Sequence, residues 1–140
     1  MGTEQPLVYI VGQTASGKTA LSLQLAKRFN GEVICADSQT VYAGLDILTA
    51  KPSSAELQSV KHWCLSIANR TKQYTVSQYQ ADARAAITDI LRRGKLPISV
   101  GGSGLYVDAL LYGFDLRPED RGARNALESL RFSHLQILVP

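Results

Sequence analysis

Apolar residues fall in five short bursts along this chain, and amphipathic or polar stretches separate them. "LVYIV" (Leu7 to Val11) is unbroken and rich in β-formers, with Pro6 before it and Gly12 after it. It predicts a strand buried on both faces. From Lys18 to Phe29 the period changes to four. Leu21, Leu25 and Phe29 form a stripe, Leu23 and Ala26 widen it, and Gly31 ends the predicted helix. "EVICA" (Glu32 to Ala36) predicts a second strand, and a long loop follows from Asp37 to Pro52. "SSAE" (Ser53 to Glu56) reads as a capping box that opens a short helix. "CLSIA" (Cys64 to Ala68) predicts the third strand. A longer helix opens at "TVSQ" (Thr75 to Gln78) and runs to Arg93, with Gly94 as its stop. "PISV" (Pro97 to Val100) predicts the fourth strand, and "GGSG" then turns the chain into a helix from Ser103 to Leu111. A helical stretch from Asn125 to Arg131 and a fifth strand, "LQILV" (Leu135 to Val139), complete the pattern.

Strands that alternate with helices imply a parallel sheet covered on both faces. The expected fold is therefore α/β, a three-layer domain of about five parallel strands. Ligands of such folds sit outside the carboxyl ends of the strands. Three polar segments fall there: "GQTASGKT" after the first strand, "DSQTVY" after the second and "GGSG" after the fourth.

Composition changes this picture little. The 140 residues suit one domain, here read as spanning residues 1–140, and an apolar content of 45% can supply its core. Fifteen Lys and Arg against twelve Asp and Glu give a net charge of +3, which permits a polyanionic partner without demanding one. Cys35 and Cys64 both lie in apolar runs and read as buried, reduced thiols. No Cys/His spacing suggests zinc. No apolar run is long enough to cross a membrane, and the N-terminus is too polar for a signal peptide, so the chain reads as cytoplasmic.

Candidate chemistry changes it more. Gly12, Gly17, Lys18 and Thr19 meet the pattern G-x-x-x-x-G-K-[ST], between a predicted strand and a predicted helix. Glycines let the backbone N–H groups of Gly12, Gln13, Thr14, Ala15, Ser16 and Gly17 converge on an anion. The helix adds the positive end of its dipole, Lys18 a mobile charge, and Thr19 a hydroxyl for Mg²⁺. A nucleotide-hydrolysing enzyme usually adds a metal-binding Asp at another strand end. Here the fourth strand runs into Gly101-Gly102 and the third into Ala68-Asn69, so Asp37 is the one acid at a strand end. A small-molecule kinase that uses ATP on this loop, with Asp37 at the acceptor hydroxyl, stays open at this point, as does a non-catalytic remnant that only binds diphosphate or RNA.

"GQTASGKTAL", "AKRFNGEVICADS", "VYAGLDILTAKP", "YTVSQYQADA" and "GKLPISVGGSGLYVDALLYG" resemble the tRNA dimethylallyltransferases in order over residues 8 to 114, and "RNALESLR" beyond them does so more weakly. Adenylate-prenylating relatives share the loop, but "TAKP" and "VGGSGLY" resemble the tRNA type more closely. The resemblance implies a P-loop fold and transfer of a dimethylallyl group from dimethylallyl diphosphate to N6 of adenosine, next to the anticodon of tRNA. It implies that Gly12 to Thr19 hold the diphosphate rather than the tail of ATP, that Mg²⁺ assists, and that Lys18 faces the leaving group. Asp37 matches the family's general base. Asp37, Ser38, Gln39, Thr40 and Ser103 match positions that contact the target nucleotide in the tRNA anticodon loop.

Several positions depart from the family pattern. Gln13 stands where Pro is usual, Gln39-Thr40 where "MQ" is usual, and Leu48 where Gly precedes "TAKP". "KHWCLS" replaces "PHHLID", with His62 retained. His62 and Trp63 are read as structural rather than as ligand contacts. Family members are longer and carry a helical, tRNA-gripping insertion after the segment matching "LLYGF". The expectation is a shortened core without that insertion after about residue 114, in which Arg117, Arg121, Arg124 and Arg131 form a basic tail, read as a solvated helix face ahead of the alternative that it substitutes for the family's later diphosphate-binding basic residues.

Overall fold

The structure, a computed structural model, describes residues 6–44, 51–116 and 121–129. Four parallel strands form its sheet: β1 (Val8–Val11), β2 (Gly31–Cys35), β3 (His62–Trp63) and β4 (Leu96–Gly101), in the order β1-β4-β2-β3. β4 and β2 occupy the centre and are buried almost throughout, as their unbroken apolar runs require. Cys35 lies opposite Val100, and Val33 lies between Ile98 and His62.

Helix α1 (Lys18–Arg28) covers one face of the sheet; α3 (Val76–Arg92) and the short α4 (Gly104–Asp108) cover the other. The α1 layer joins Leu23 and Ala26 to Val33, Cys35 and Ile98. The α3 layer joins Tyr79, Ala83, Ala86 and Ile90, spaced for one helix face, to Ile34, Ala36 and Tyr106. Tyr79 and Tyr106 stack with ring centroids 4.2 Å apart. The expected capping box of Ser53 with Glu56 opens α2 (Ser54–Ser59), and a second one, Thr75 with Gln78, opens α3 where the helix was expected to begin.

Four expectations need correction or completion. The third strand is His62–Trp63 rather than Cys64 to Ala68. Cys64 (φ 57°) and Ser66 (φ 54°) adopt left-handed backbone, which takes the chain out of the sheet. Ala68 instead forms an isolated parallel bridge with Tyr42. The buried face of α1 keeps Leu23, Ala26 and the partly buried Leu25 of the expected stripe and adds Ser22, while Leu21 and Phe29 at its edge are exposed. Small residues there let the helix lie close to the sheet. The helix after "GGSG" ends at Asp108 and continues as a π-helical turn over Ala109–Gly113. The last helical stretch, α5, is Arg121–Glu128, starting four residues before Asn125. The expected fifth strand, Leu135 to Val139, lies outside the described residues.

At the amino ends of the strands lies a polar cluster the sequence does not announce. The Glu32 side chain is only 2% exposed. Arg93 binds it with both terminal nitrogens, at 2.5 and 2.8 Å, while Lys95 Nζ and Trp63 Nε1 each donate at 2.8 Å. A buried carboxylate needs such partners. The Arg93 guanidinium, helped by Lys95 and Trp63 against the opposing effect of burial, holds the Glu32 carboxyl well below the usual carboxylate range.

Candidate active site

The loop between β1 and α1 turns tightly through two left-handed residues, Ala15 (φ 63°) and Gly17 (φ 85°). Gly17 is the N-cap of α1 and contributes no side-chain cap. The first N–H groups of the helix therefore stay directed at the space over the loop, as an anion site requires. Lys18 folds back over this loop. Its Nζ donates to the carbonyl of Gly12 at 2.7 Å and to that of Gln13, and lies 3.5 Å from Ser16 Oγ. The ammonium is thus held above the loop before any ligand is considered.

Asp37 follows β2, where Ala36 N–H still bonds to Val100 at 2.8 Å. Its Oδ1 accepts the N–H groups of Gln39 (2.8 Å) and Thr40 (3.3 Å), a local turn that fixes the carboxylate. Oδ2 takes none of the described hydrogen bonds and stays available. Ser103 sits at the N-cap of α4, yet its hydroxyl makes no capping bond. It accepts instead from Ser38 N–H at 2.9 Å and lies 3.3 Å from Ser38 Oγ. The loops after β2 and β4 are so joined because β4 ends against β2 with no room for a side chain. A Cβ on Gly101 would stand 2.0 Å from the Ala36 carbonyl oxygen.

One cavity of about 430 Å³ collects much of this chemistry. Thr14 to Thr19 line it together with Asp37 and Thr40. Gly12 and Gln13 line a second hollow beside Gly101, Gly102 and Asp108, while Ser38, Gln39 and Ser103 line neither. Thr40 is buried, and its Oγ1 is already hydrogen-bonded to the Asp37 carbonyl at 3.3 Å. Gln39 is exposed. The carboxylate, the loop and Ser103 therefore come together at the strand ends, but Ser103 reaches the cavity only through its hold on the Asp37–Thr40 turn.

The wall opposite the loop is what sequence reasoning missed. Val33, Cys35, Leu65 and Val100 make it largely apolar, and Pro52, Glu56 and His62 complete it. The capping box at Ser53 was the only signal that this segment is ordered. The carbonyl of Val60 lies 2.8 Å from His62 Nδ1 and can only accept, so that nitrogen carries the proton. Burial pushes the His62 pKa down, so the ring faces the cavity neutral. Burial likewise raises the Cys35 thiol to about 12, which makes it a neutral wall group and not a nucleophile. Trp63 packs against Glu32 and Lys61 away from this cavity, as a structural residue.

Thr19 and Asp37 offer a hydroxyl and a carboxylate to the same cavity. Among the described residues no three His, Cys, Asp or Glu side chains gather into a metal cage. Mg²⁺ needs none, since it commonly takes one or two protein oxygens and completes its shell with phosphate and water. The donor set fits that ion. Among the described residues, no helix is long and apolar enough to cross a membrane.

Known proteins resemble this arrangement throughout. The family model described as "IPP transferase" matches residues 40–138. A tRNA dimethylallyltransferase of Streptococcus uberis is 48% identical over 135 residues, covering 93% of this chain and 45% of its own length. One from Deinococcus radiodurans is 49% identical, covering 89% and 41%. The crystal structure of a tRNA isopentenylpyrophosphate transferase from Bacillus halodurans superposes with a TM-score of 0.78 at 45% identity, over 90% of this chain and 42% of that one. A eukaryotic dimethylallyltransferase acting on tRNA superposes with a TM-score of 0.73 at 35% identity, over 96% and 32%. The chain spans less than half the length of these relatives. Loop, strand-end acid and sheet are those of a P-loop α/β fold, and the chain belongs to the IPP transferase family.

Proposed function

We propose that residues 1–140 form the core domain of an enzyme that transfers a dimethylallyl group from dimethylallyl diphosphate to N6 of adenosine, next to the anticodon of tRNA. The observation that carries this reading is the joint placement of an anion loop, a carboxylate and a largely apolar wall in one cavity. A nucleotide triphosphate tail has no use for that wall, whereas a five-carbon prenyl chain does. The N6 amine is a poor nucleophile because its lone pair is delocalised into the ring. As the nitrogen–carbon bond forms, the carbon–oxygen bond to diphosphate breaks and negative charge grows on the leaving group. Lys18 and the loop N–H groups stabilise that charge where it develops. Asp37, oriented by its turn, takes the amine proton on the free Oδ2. Ser38, Gln39 and Thr40 line the nucleotide's approach, and Ser103 holds that segment in place. The Thr19 hydroxyl would hold Mg²⁺, which when bound would supply positive charge beside the leaving group. The adenine leaves the RNA stack to reach this site.

The test is incubation with labelled dimethylallyl diphosphate and bulk tRNA, scored as prenylated adenosine. Competition with ATP runs beside it. Label in adenosine and preference for the prenyl diphosphate are expected. Tight, selective ATP binding without label transfer would replace this reading with a small-molecule kinase.

A further inference from the structure

Residues 66–68 run alongside the segment that follows Asp37. Ser66 N–H bonds to the Thr40 carbonyl (3.0 Å), Ala68 N–H to that of Val41 (2.9 Å), and Ala43 N–H to that of Ala68 (3.0 Å). The next loop, residues 69–74, follows directly on this pairing and contacts Tyr42 and Gly44, in the segment that continues from the Asp37–Thr40 turn. The loop is fixed at both ends. Asn69 Oδ1 accepts from Thr71 N–H and Oγ1 at 3.0 Å each, and Lys72 N–H bonds back to the Asn69 carbonyl at 3.1 Å. Tyr74 N–H bonds to the Tyr42 hydroxyl (3.1 Å), and the Tyr74 hydroxyl bonds to Asp82 (2.6 Å).

Two cations stand exposed on this fixed loop, Arg70 and Lys72. Arg70 makes one long contact, 3.5 Å, to the Gly44 carbonyl, and Lys72 Nζ makes none of the described bonds. The described ion pairs all belong to Arg92, Arg93 and Lys95, at the opposite end of the sheet. Basic charge at that end is neutralised by Glu32 and Asp89, whereas Arg70 and Lys72 make none of the described ion pairs.

We propose that Arg70 and Lys72 form a phosphate-contacting rim for the RNA strand whose adenosine enters at Asp37. This rests on the prenyl-transfer reading and adds residues to it. A strand that presents one splayed base to the Asp37–Thr40 turn carries phosphates past its neighbours, and loop 69–74 follows residues 66–68, which pair with Thr40 to Ala43 at the end of that turn. Phosphate contacts of this kind set register and affinity and read no sequence. A loop already ordered by its own hydrogen bonds loses little entropy when it makes them.

The experiment compares wild-type chain, the Arg70→Ala/Lys72→Ala double variant and Arg70→Lys. Binding isotherms with bulk tRNA are taken at several salt concentrations, and inorganic pyrophosphate binding is measured in parallel. Each neutralised phosphate adds roughly 0.7–0.9 to the slope of log affinity against log salt. The double variant is expected to flatten the slope by about 1.5 and to weaken tRNA at low salt, with pyrophosphate affinity unchanged. Arg70→Lys should keep the wild-type slope. A double variant with wild-type slope and affinity overturns the rim alone, and so does one that loses pyrophosphate and tRNA together. A wild-type chain that binds pyrophosphate but no tRNA overturns the prenyl-transfer reading, and the rim with it.

Discussion

Replacing Asp37 by Asn separates the charge of this residue from its structural work. Oδ1 accepts two backbone N–H groups, from Gln39 at 2.8 Å and Thr40 at 3.3 Å, and an Asn side-chain oxygen can accept both. The turn should therefore survive, and stability should change by no more than about 0.5 kcal/mol. What disappears is the proton acceptor at Oδ2. A positioned base contributes roughly 10²–10⁴ in rate, or about 3–5 kcal/mol of barrier, so single-turnover prenyl transfer should fall by that factor while diphosphate affinity stays put. Asp37→Ala supplies the contrast. It removes the base and leaves two N–H groups without their acceptor. Each is worth about 0.5–1.5 kcal/mol, at the low end here because Gln39 is exposed and water can replace the bond. The Ala variant should match Asn in lost turnover and add a fall of a few degrees in melting midpoint. An Asn variant with wild-type turnover would refute the reasoning and leave Asp37 as a turn-forming carboxylate only.

Lys18→Met should weaken dimethylallyl diphosphate binding by about 1.5–3 kcal/mol, the worth of a charge-assisted contact, and calorimetry reads this directly. Unchanged affinity would put the anion elsewhere. Glu32 is held low in the folded protein, so its contribution to stability is fully present above the ordinary Glu pKa of about 4.3 and is lost as pH falls below it toward the folded value. Urea midpoints between about pH 6 and 3 should fall more steeply for wild type than for Glu32→Gln, and parallel curves would deny the network that role. Gly101→Ala drives a methyl into the Ala36 carbonyl, so it should cost about 1–3 kcal/mol or more in thermal unfolding; a fully stable variant would show that β4 can move away from β2 freely.

The grouping of the candidate site residues was legible because its logic is positional. Segments that follow strands in a parallel sheet must lie together, so Lys18, Asp37 and Ser103 could be grouped before any coordinate was known. The β2 run and the start of α3 were legible from local pattern alone. The third strand was not, because nothing in "CLSIA" marks Cys64 and Ser66 as left-handed. Tertiary packing selects that conformation against the preference of both residues. The α1 stripe misled only at Leu21 and Phe29, whose apolar signal is strong although they stay exposed, and at Ser22, which the sheet accepted for its small size. Glu32 read as the polar start of a strand, since its partners Arg93 and Lys95 lie some sixty positions along the chain, beyond any local pattern.

Trp63 is the chain's single tryptophan, and its surroundings make it an optical gauge. The indole N–H is tied to Glu32 at 2.8 Å, and the Lys61 ammonium stands 3.9 Å from the ring centroid. A charge so near an indole shifts its emission, and loss of the Glu32 bond would shift it again. Its strand neighbour His62 and nearby Leu65 form part of the cavity wall. Fluorescence from one native residue therefore reports two events without any label. A large red shift marks β3 leaving the sheet, and a small displacement marks a ligand settling against that wall.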